Sequence, residues 1–232
     1  MQQTTPSAPA PAAAKPKPPA PPPEFREGDI AGMDGDALIR ILNDAGSSEF
    51  QKAKACQRLG ELGAKEAVPA LAALLSHERL STYARHGLEP IADPSADDAL
   101  RGSLTKLKGD LLIGVINSIA KRRDAEAGPA LAKMIYAADP EVARAAASAL
   151  GHIGGASSAK TLHTALEKTD GMKRMTIADA ILVCAERLLA SGSRDQALAI
   201  YASLSSTNVP KPARLAAMAA IIREETSISR PR

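Results

Sequence analysis

A leucine returns along this chain at intervals close to thirty-one residues, and that spacing limits the possible fold more than any other feature. Leu38, Leu71, Leu100, Leu131, Leu162 and Leu198 each open an apolar i, i+3, i+4 pattern, at spacings of 33, 29, 31, 31 and 36 residues. A second marker keeps the same register. Leu59-Gly60-Glu61-Leu62-Gly63 comes back as Leu150-Gly151-His152-Ile153-Gly154, displaced by 91 residues, which is three of those intervals. A period of this length holds two helices of about 12 residues and two short turns. One such unit cannot bury its apolar face alone, so successive units must stack.

The punctuation falls at the same cuts. Asp93-Pro94 and Asp139-Pro140 each set a carboxylate N-cap before a proline at the first helical position, where the missing amide proton costs nothing. Gly63, Gly154 and Gly192 follow apolar periodic segments, where a left-handed C-cap is wanted. The pattern predicts a leading helix over 35–44 and helix pairs over 48–62 and 65–76, 80–91 and 94–107, 109–122 and 124–136, 140–153 and 157–168, and 172–190 and 194–204. A last helix is predicted over 210–224, and no strand. Composition agrees: 47 residues are alanine and only Phe25, Phe50, Tyr83, Tyr136 and Tyr201 are aromatic, which suits a helical core of small side chains.

Three segments differ in character. Residues 1–23 hold nine of the 17 prolines, with Lys15 and Lys17 and no acid. They read as a disordered Pro/Ala-rich tether, because proline's fixed φ favours an extended chain and too little apolar surface is available to offset ordering. Residues 24–224 form the repeat domain and 225–232 a C-terminal tail. The start has no apolar signal-peptide core, and no run of apolar residues is long enough to span a membrane. As read the chain is cytoplasmic; with an upstream signal peptide removed it is periplasmic or secreted.

Asp139-Pro-Glu-Val-Ala-Arg-Ala-Ala-Ala-Ser-Ala-Leu-Gly-His-Ile-Gly154, with Ala67-Val68-Pro69-Ala70-Leu71 and Gly128-Pro129-Ala130-Leu131, resembles the short bacterial HEAT repeat. The resemblance covers 35–224. It implies an all-α, right-handed α-α superhelix of about five helix pairs plus leading and terminal helices. Residues 85–89, 114–118 and 122–124 are similar to HEAT-like segments of large bacterial proteins. Two departures stand out. Ala143 occupies the position after the valine where the family carries an arginine, with Arg144 one place on, which removes the expected arginine-aspartate ladder there. The 36-residue unit ending in Leu188-Leu-Ala-Ser-Gly192 and Ala197-Leu-Ala-Ile-Tyr201 drifts towards a tetratricopeptide-like pattern.

Catalytic signals are sparse. The four histidines, His77, His86, His152 and His163, include no i, i+4 pair able to present two imidazoles to one metal. The single His77-Glu78 pair resembles the repeated motif of the di-iron HEAT-like hydroxylases, which need four such pairs. Cys56 and Cys184 sit in apolar helical patterns and read as buried thiols. Asp97-Asp98 reads as acids placed at a helix N-terminus, and Arg122-Arg123-Asp124 as charges closing one helix and an N-cap opening the next. No catalytic residue, metal site or cofactor is expected.

The resemblance further implies that the second helix of each pair lines the concave face. Positions two before, and two and five after, each marker leucine then look into a groove: Pro69, Ala73 and Ser76; Asp98, Gly102 and Thr105; Pro129, Lys133 and Tyr136; Lys160, Thr164 and Glu167; Gln196, Ile200 and Ser203. Lys133, Tyr136, Lys160 and Thr164 are the candidate binding residues in it. At the other end, Leu215, Met218 and Ile222 share a stripe of the last helix with Ala219. Exposed apolar stripes usually mark contact, so this one is a second candidate surface, for self-association or a capping partner.

Two functions compete. The first is a non-enzymatic protein-protein interaction scaffold on a flexible tether. The second is a subunit of a chromophore (bilin) lyase, because similar repeats occur in those enzymes; it would demand a tetrapyrrole pocket with basic partners for two propionates. Residues 24–204 carry 22 bases and 24 acids, a balance that argues against nucleic-acid binding in the manner of HEAT-like glycosylases.

Overall fold

A computed structural model describes residues 30–205 and 208–228. Residues 1–23 of the expected tether, and 229–232 of the tail, lie outside the described residues. Among the described residues there are twelve α-helices and no strand: α1 (Gly35–Asn43), α2 (Glu49–Leu62), α3 (Val68–Ala73), α4 (Ser81–Leu88), α5 (Pro94–Ser103), α6 (Gly109–Arg122), α7 (Gly128–Met134), α8 (Pro140–Ile153), α9 (Gly155–Glu167), α10 (Gly171–Ala190), α11 (Arg194–Leu204) and α12 (Lys211–Ile228). None of them is long and apolar enough to cross a membrane.

Their ends form where the side chains dictate. Asp93 accepts from the Ser95 amide, and Asp139 from those of Glu141 and Val142, each with proline at the first turn. Ser48 and Gln51 close a reciprocal capping box on α2. Gly63 closes α2 in the left-handed conformation at φ 64°. At the equivalent point of α6 the left-handed residue is Arg123, φ 58°. Gly154 differs from the expectation: at φ 76°, ψ −166° it is not a left-handed cap but a mirror-extended link from α8 straight into α9, a region open only to glycine.

The helices alternate between two layers of an all-α solenoid. α2, α4, α6, α8, α10 and α12 pack successively in the first; α1, α3, α5, α7, α9 and α11 make the second. The pairs α2/α3, α4/α5, α6/α7, α8/α9 and α10/α11, with α1 leading and α12 closing, are those the leucine period predicts. Leu38, Leu71, Leu100, Leu131 and Leu162 are fully buried between the layers. The last unit departs by one residue. Leu198 is only partly buried, while Ala197 and Tyr201 take the core positions. Elsewhere two large aliphatics sit four apart (Leu100 with Leu104, Leu131 with Ile135); here a small and a large side chain fill the same space.

Spacing differs between the layers. A Cβ on Gly151 of α8 would stand 2.6 Å from the Ala180 carbonyl oxygen of α10, and one on Gly87 of α4 would stand 2.8 Å from the Cys56 carbonyl oxygen of α2. First-layer neighbours therefore meet backbone to backbone. In the second layer α7 packs on α9, but α5 barely touches α7 and α9 barely touches α11. The second-helix column lies on the layer made by α1, α3, α5, α7, α9 and α11, and depressions open on that layer beside α9.

Candidate functional site

One furrow gathers most of the candidate binding residues. Between α7 and α9 a depression of about 310 Å³ is lined by Ala132, Ile135, Tyr136, Lys160, Thr161, Thr164, Ala165 and Lys168. α7 is short because Asp124 caps a tight turn at Ala125–Ala127, with Pro129 in the next turn. It ends at Met134, and the Tyr136 amide donates to the Lys133 carbonyl in the turn that follows. That turn leaves the Tyr136 ring 50% exposed over the furrow. Along α9, Lys160 and Thr164 fall on one face, and the Thr164 hydroxyl donates to the Lys160 carbonyl at 3.0 Å. Lys133 is exposed on α7 outside the lining. The remaining second-helix column is exposed as expected except Ile200, which the one-residue shift in α11 turns into the core.

A second depression, about 520 Å³, opens on the other flank of α9 against α10 and α11, lined by His163, Leu166, Glu167, Arg174, Ser203, Asn208 and Val209. Arg174 is committed to backbone: Nη1 donates to the Leu166 and Thr169 carbonyls at 2.7 and 3.0 Å, and Nε to that of Asn208 at 3.1 Å. His163 Nε2 lies 3.1 Å from Ser203 Oγ, a pairing across 40 residues that no local sequence signal announces. The Ser203 hydroxyl proton is directed at the Ile200 carbonyl, 2.6 Å away. Burial pushes the His163 pKa below its ordinary value, against the pull of Glu167.

The paired charges singled out in the sequence turn out to be a clasp between the α4/α5 and α6/α7 units, and the reading of them as helix-end charges is incomplete. Arg122 reaches back to form a two-pronged pair with Asp97, Nε to Oδ1 at 2.6 Å and Nη2 to Oδ2 at 2.8 Å. Its Nη1 faces the carbonyls of Leu88, Glu89 and Ile91 at 2.6 to 3.0 Å. Arg101 pairs with Asp124 at 2.6 Å, and also with Asp98. Buried Ser118 donates to Glu89, which also accepts from Lys121. The signal was the chain distance of 23 to 34 residues between partners, one repeat, which a reading confined to single helices overlooks. At the fourth repeat Arg144 pairs only with Glu141 on its own helix, as the displacement to Ala143 led one to expect.

Other groups are accounted for locally. Cys56 and Cys184 are fully buried; burial pushes the Cys56 thiol up to about 12 and raises that of Cys184. His77 Nδ1 accepts from the amides of Arg79 and Leu80, each at 3.3 Å. No group of three or more His, Cys, Asp or Glu able to hold a metal occurs among the described residues. On α12, Ala213, Ala217 and Ala220 pack inward while Leu215, Met218 and Ile222 are 53%, 46% and 60% exposed, so the predicted stripe stands clear of the core. The sequence reading missed one notch, about 140 Å³, between the N-terminal turns of α8 and α10, where Met172 stands exposed above Ala143, Ala147 and Ile177.

Residues 105–182, from the end of α5 into α10, match the family described as HEAT repeats. Over that third of the chain the sequence is similar to HEAT repeats, and the same alternation of paired helices continues on both sides of it. Among solved structures it is similar to an engineered protein at 18% identity, with 79% of this chain covered and a TM-score of 0.47. The chain spans 56% of that protein's length. It is also similar to human deoxyhypusine hydroxylase solved with glycerol, at 15% identity over 86% of this chain and 75% of that one, TM-score 0.38. No curated protein matches it.

Proposed function

We propose that this HEAT-like scaffold is non-enzymatic and works by docking a protein segment in the furrow between α7 and α9. The observation that carries the reading is the furrow itself: an open depression between α7 and α9, lined by a half-exposed tyrosine, two lysines and two threonines. Aromatic side chains set among polar groups are the usual anchors of a peptide interface. The chemistry elsewhere supports the same reading: the thiols are buried and protonated, and the exposed serine beside His163 has its proton engaged. The apolar stripe of α12 is the second contact surface of this reading, through self-association, because large apolar side chains spaced along one exposed stripe favour burial.

Selection of a random peptide library against the full chain tests the furrow. Bound peptides are expected to lose affinity when Tyr136→Ala or Thr164→Arg is introduced, and to keep it with Arg144→Ala on the first layer. Peptides that bind all variants alike, or no selectable binder, would refute the furrow as the docking surface.

A further inference from the structure

Resting on that furrow as the docking surface, we infer that its occupant is an acidic, extended peptide segment whose carboxylates at i and i+4 are held by Lys160 and Lys168.

Charge sets the sign of the occupant. The lining contains Lys160 and Lys168, with Lys133 exposed beside it, and no acid. Among the described residues none of the three lysines makes an ion pair, whereas the arginines of the neighbouring clasp are all engaged. The nearby acids face elsewhere. Glu167 lines the depression on the other flank of α9, Asp139 caps α8, and Asp170 sits in the turn before α10, outside the lining. Ammonium groups without internal partners attract carboxylates and gain most where a furrow wall limits water.

Spacing sets its form. Lys160 lies on α9 and Lys168 is the residue capping its C-terminal end, eight positions on and about 12 Å along the axis at 1.5 Å per residue. An extended chain rises about 3.3 Å per residue and sends alternate side chains to one side. Four residues then span about 13 Å with both side chains facing the helix, so i and i+4 match while i and i+3 do not. The furrow runs between two helices packed side by side, α7 and α9, which gives such a segment a wall on each flank, with Tyr136 supplying apolar surface in the same lining. A nucleic-acid strand has phosphates at similar intervals but needs a basic track that continues. Here the lining offers Lys160 and Lys168 and no further base.

The test is fluorescence anisotropy on the full chain with four labelled probes: a short serine-threonine peptide bearing glutamate at i and i+4, its glutamine counterpart, the same peptide with glutamates at i and i+3, and an oligothymidylate of matched length. The i, i+4 peptide is expected to bind at least about tenfold more tightly than the glutamine form. It should weaken severalfold with Lys160→Gln or Lys168→Gln and stay unchanged with Lys173→Gln on the first layer; these lysines are exposed, so the fold tolerates the changes. Equal binding of glutamate and glutamine forms would overturn the acidic occupant while leaving the furrow reading intact, provided library-selected peptides still depend on Tyr136 and Thr164. Tighter binding of the oligothymidylate, equal binding of the i, i+3 form, or no binding of the i, i+4 peptide would overturn it as well.

Discussion

Replacing Arg122 by methionine is the sharpest perturbation of the solenoid, because this one side chain joins two repeat units by five hydrogen-bond contacts. Its side chain is 9% exposed and that of Asp97 is 24% exposed. Methionine keeps the stem's volume and removes the guanidinium. Three carbonyls at the C-terminal end of α4 then lose the guanidinium, Leu88 keeping the Ile91 amide as donor, and Asp97 loses both prongs. A neutral hydrogen bond contributes about 1 kcal/mol net and one to a charged group about 1.5 to 3. Breaking a largely buried pair by removing one partner costs about 3 to 5 kcal/mol, and the partial exposure of Asp97 puts this case near the lower end. The assay is urea unfolding followed by far-UV circular dichroism, with Asp97→Asn and the double variant completing a cycle. A coupling energy of about 1 to 2 kcal/mol is expected. A loss below about 0.5 kcal/mol for Arg122→Met, the level of an ordinary surface change, would refute the account of the clasp.

Four further outcomes follow from the same structure. Leu131→Ala, at a fully buried central position, should cost about 2 to 5 kcal/mol in the same assay; a loss below about 0.5 would mean the helix faces are misassigned. Because burial lowers the folded-state pKa of His163 from 6.5, the unfolded chain binds its proton first on acidification, so stability falls as pH drops below about 6.5 and levels off below the folded value. His163→Gln should flatten that part of a melting-temperature profile. Both thiols should resist a disulfide reagent in the native protein and react fully in denaturant, since Cys56 and Cys184 are enclosed and protonated. Any concentration-dependent association seen by light scattering should vanish with Met218→Lys and Ile222→Glu; persistence in that variant would remove the α12 stripe from the proposed function.

The layer order and the helix pairs were legible because they rest on local physics. Asp93-Pro94 and Asp139-Pro140 fix helix starts by capping, and leucines placed once per repeat fix which face is buried. What escaped depends on distance. The Arg122 clasp and the His163 to Ser203 contact join residues one repeat or more apart, and hydropathy carries no information about which polar groups meet. The shift in α11 escaped for another reason. Leu198 fits the leucine series by identity, yet the tyrosine beside it demands the larger core space, and volume outweighs the pattern.

The placement of the furrow follows from the smallest residues rather than the functional ones. Gly87 and Gly151 let first-layer helices meet at the backbone, and alanines at 143, 145, 146, 147 and 149 of α8 add little volume between helices there. Larger side chains fill the core, among them Leu131, Ile135, Leu162 and Leu166. Close approach in the first layer and a filled core together set where α7 and α9 stand, so the furrow that presents Tyr136, Lys160 and Thr164 depends on the repeat's own composition. The lysines then need no special backbone to present them: a plain helix face beside an open furrow suffices. Gly151→Leu tests this link, because a side chain there would collide with the Ala180 carbonyl and force α8 from α10; peptide binding in the furrow should weaken although no furrow residue has changed, and unchanged binding in a folded variant would separate the furrow from the packing of the first layer.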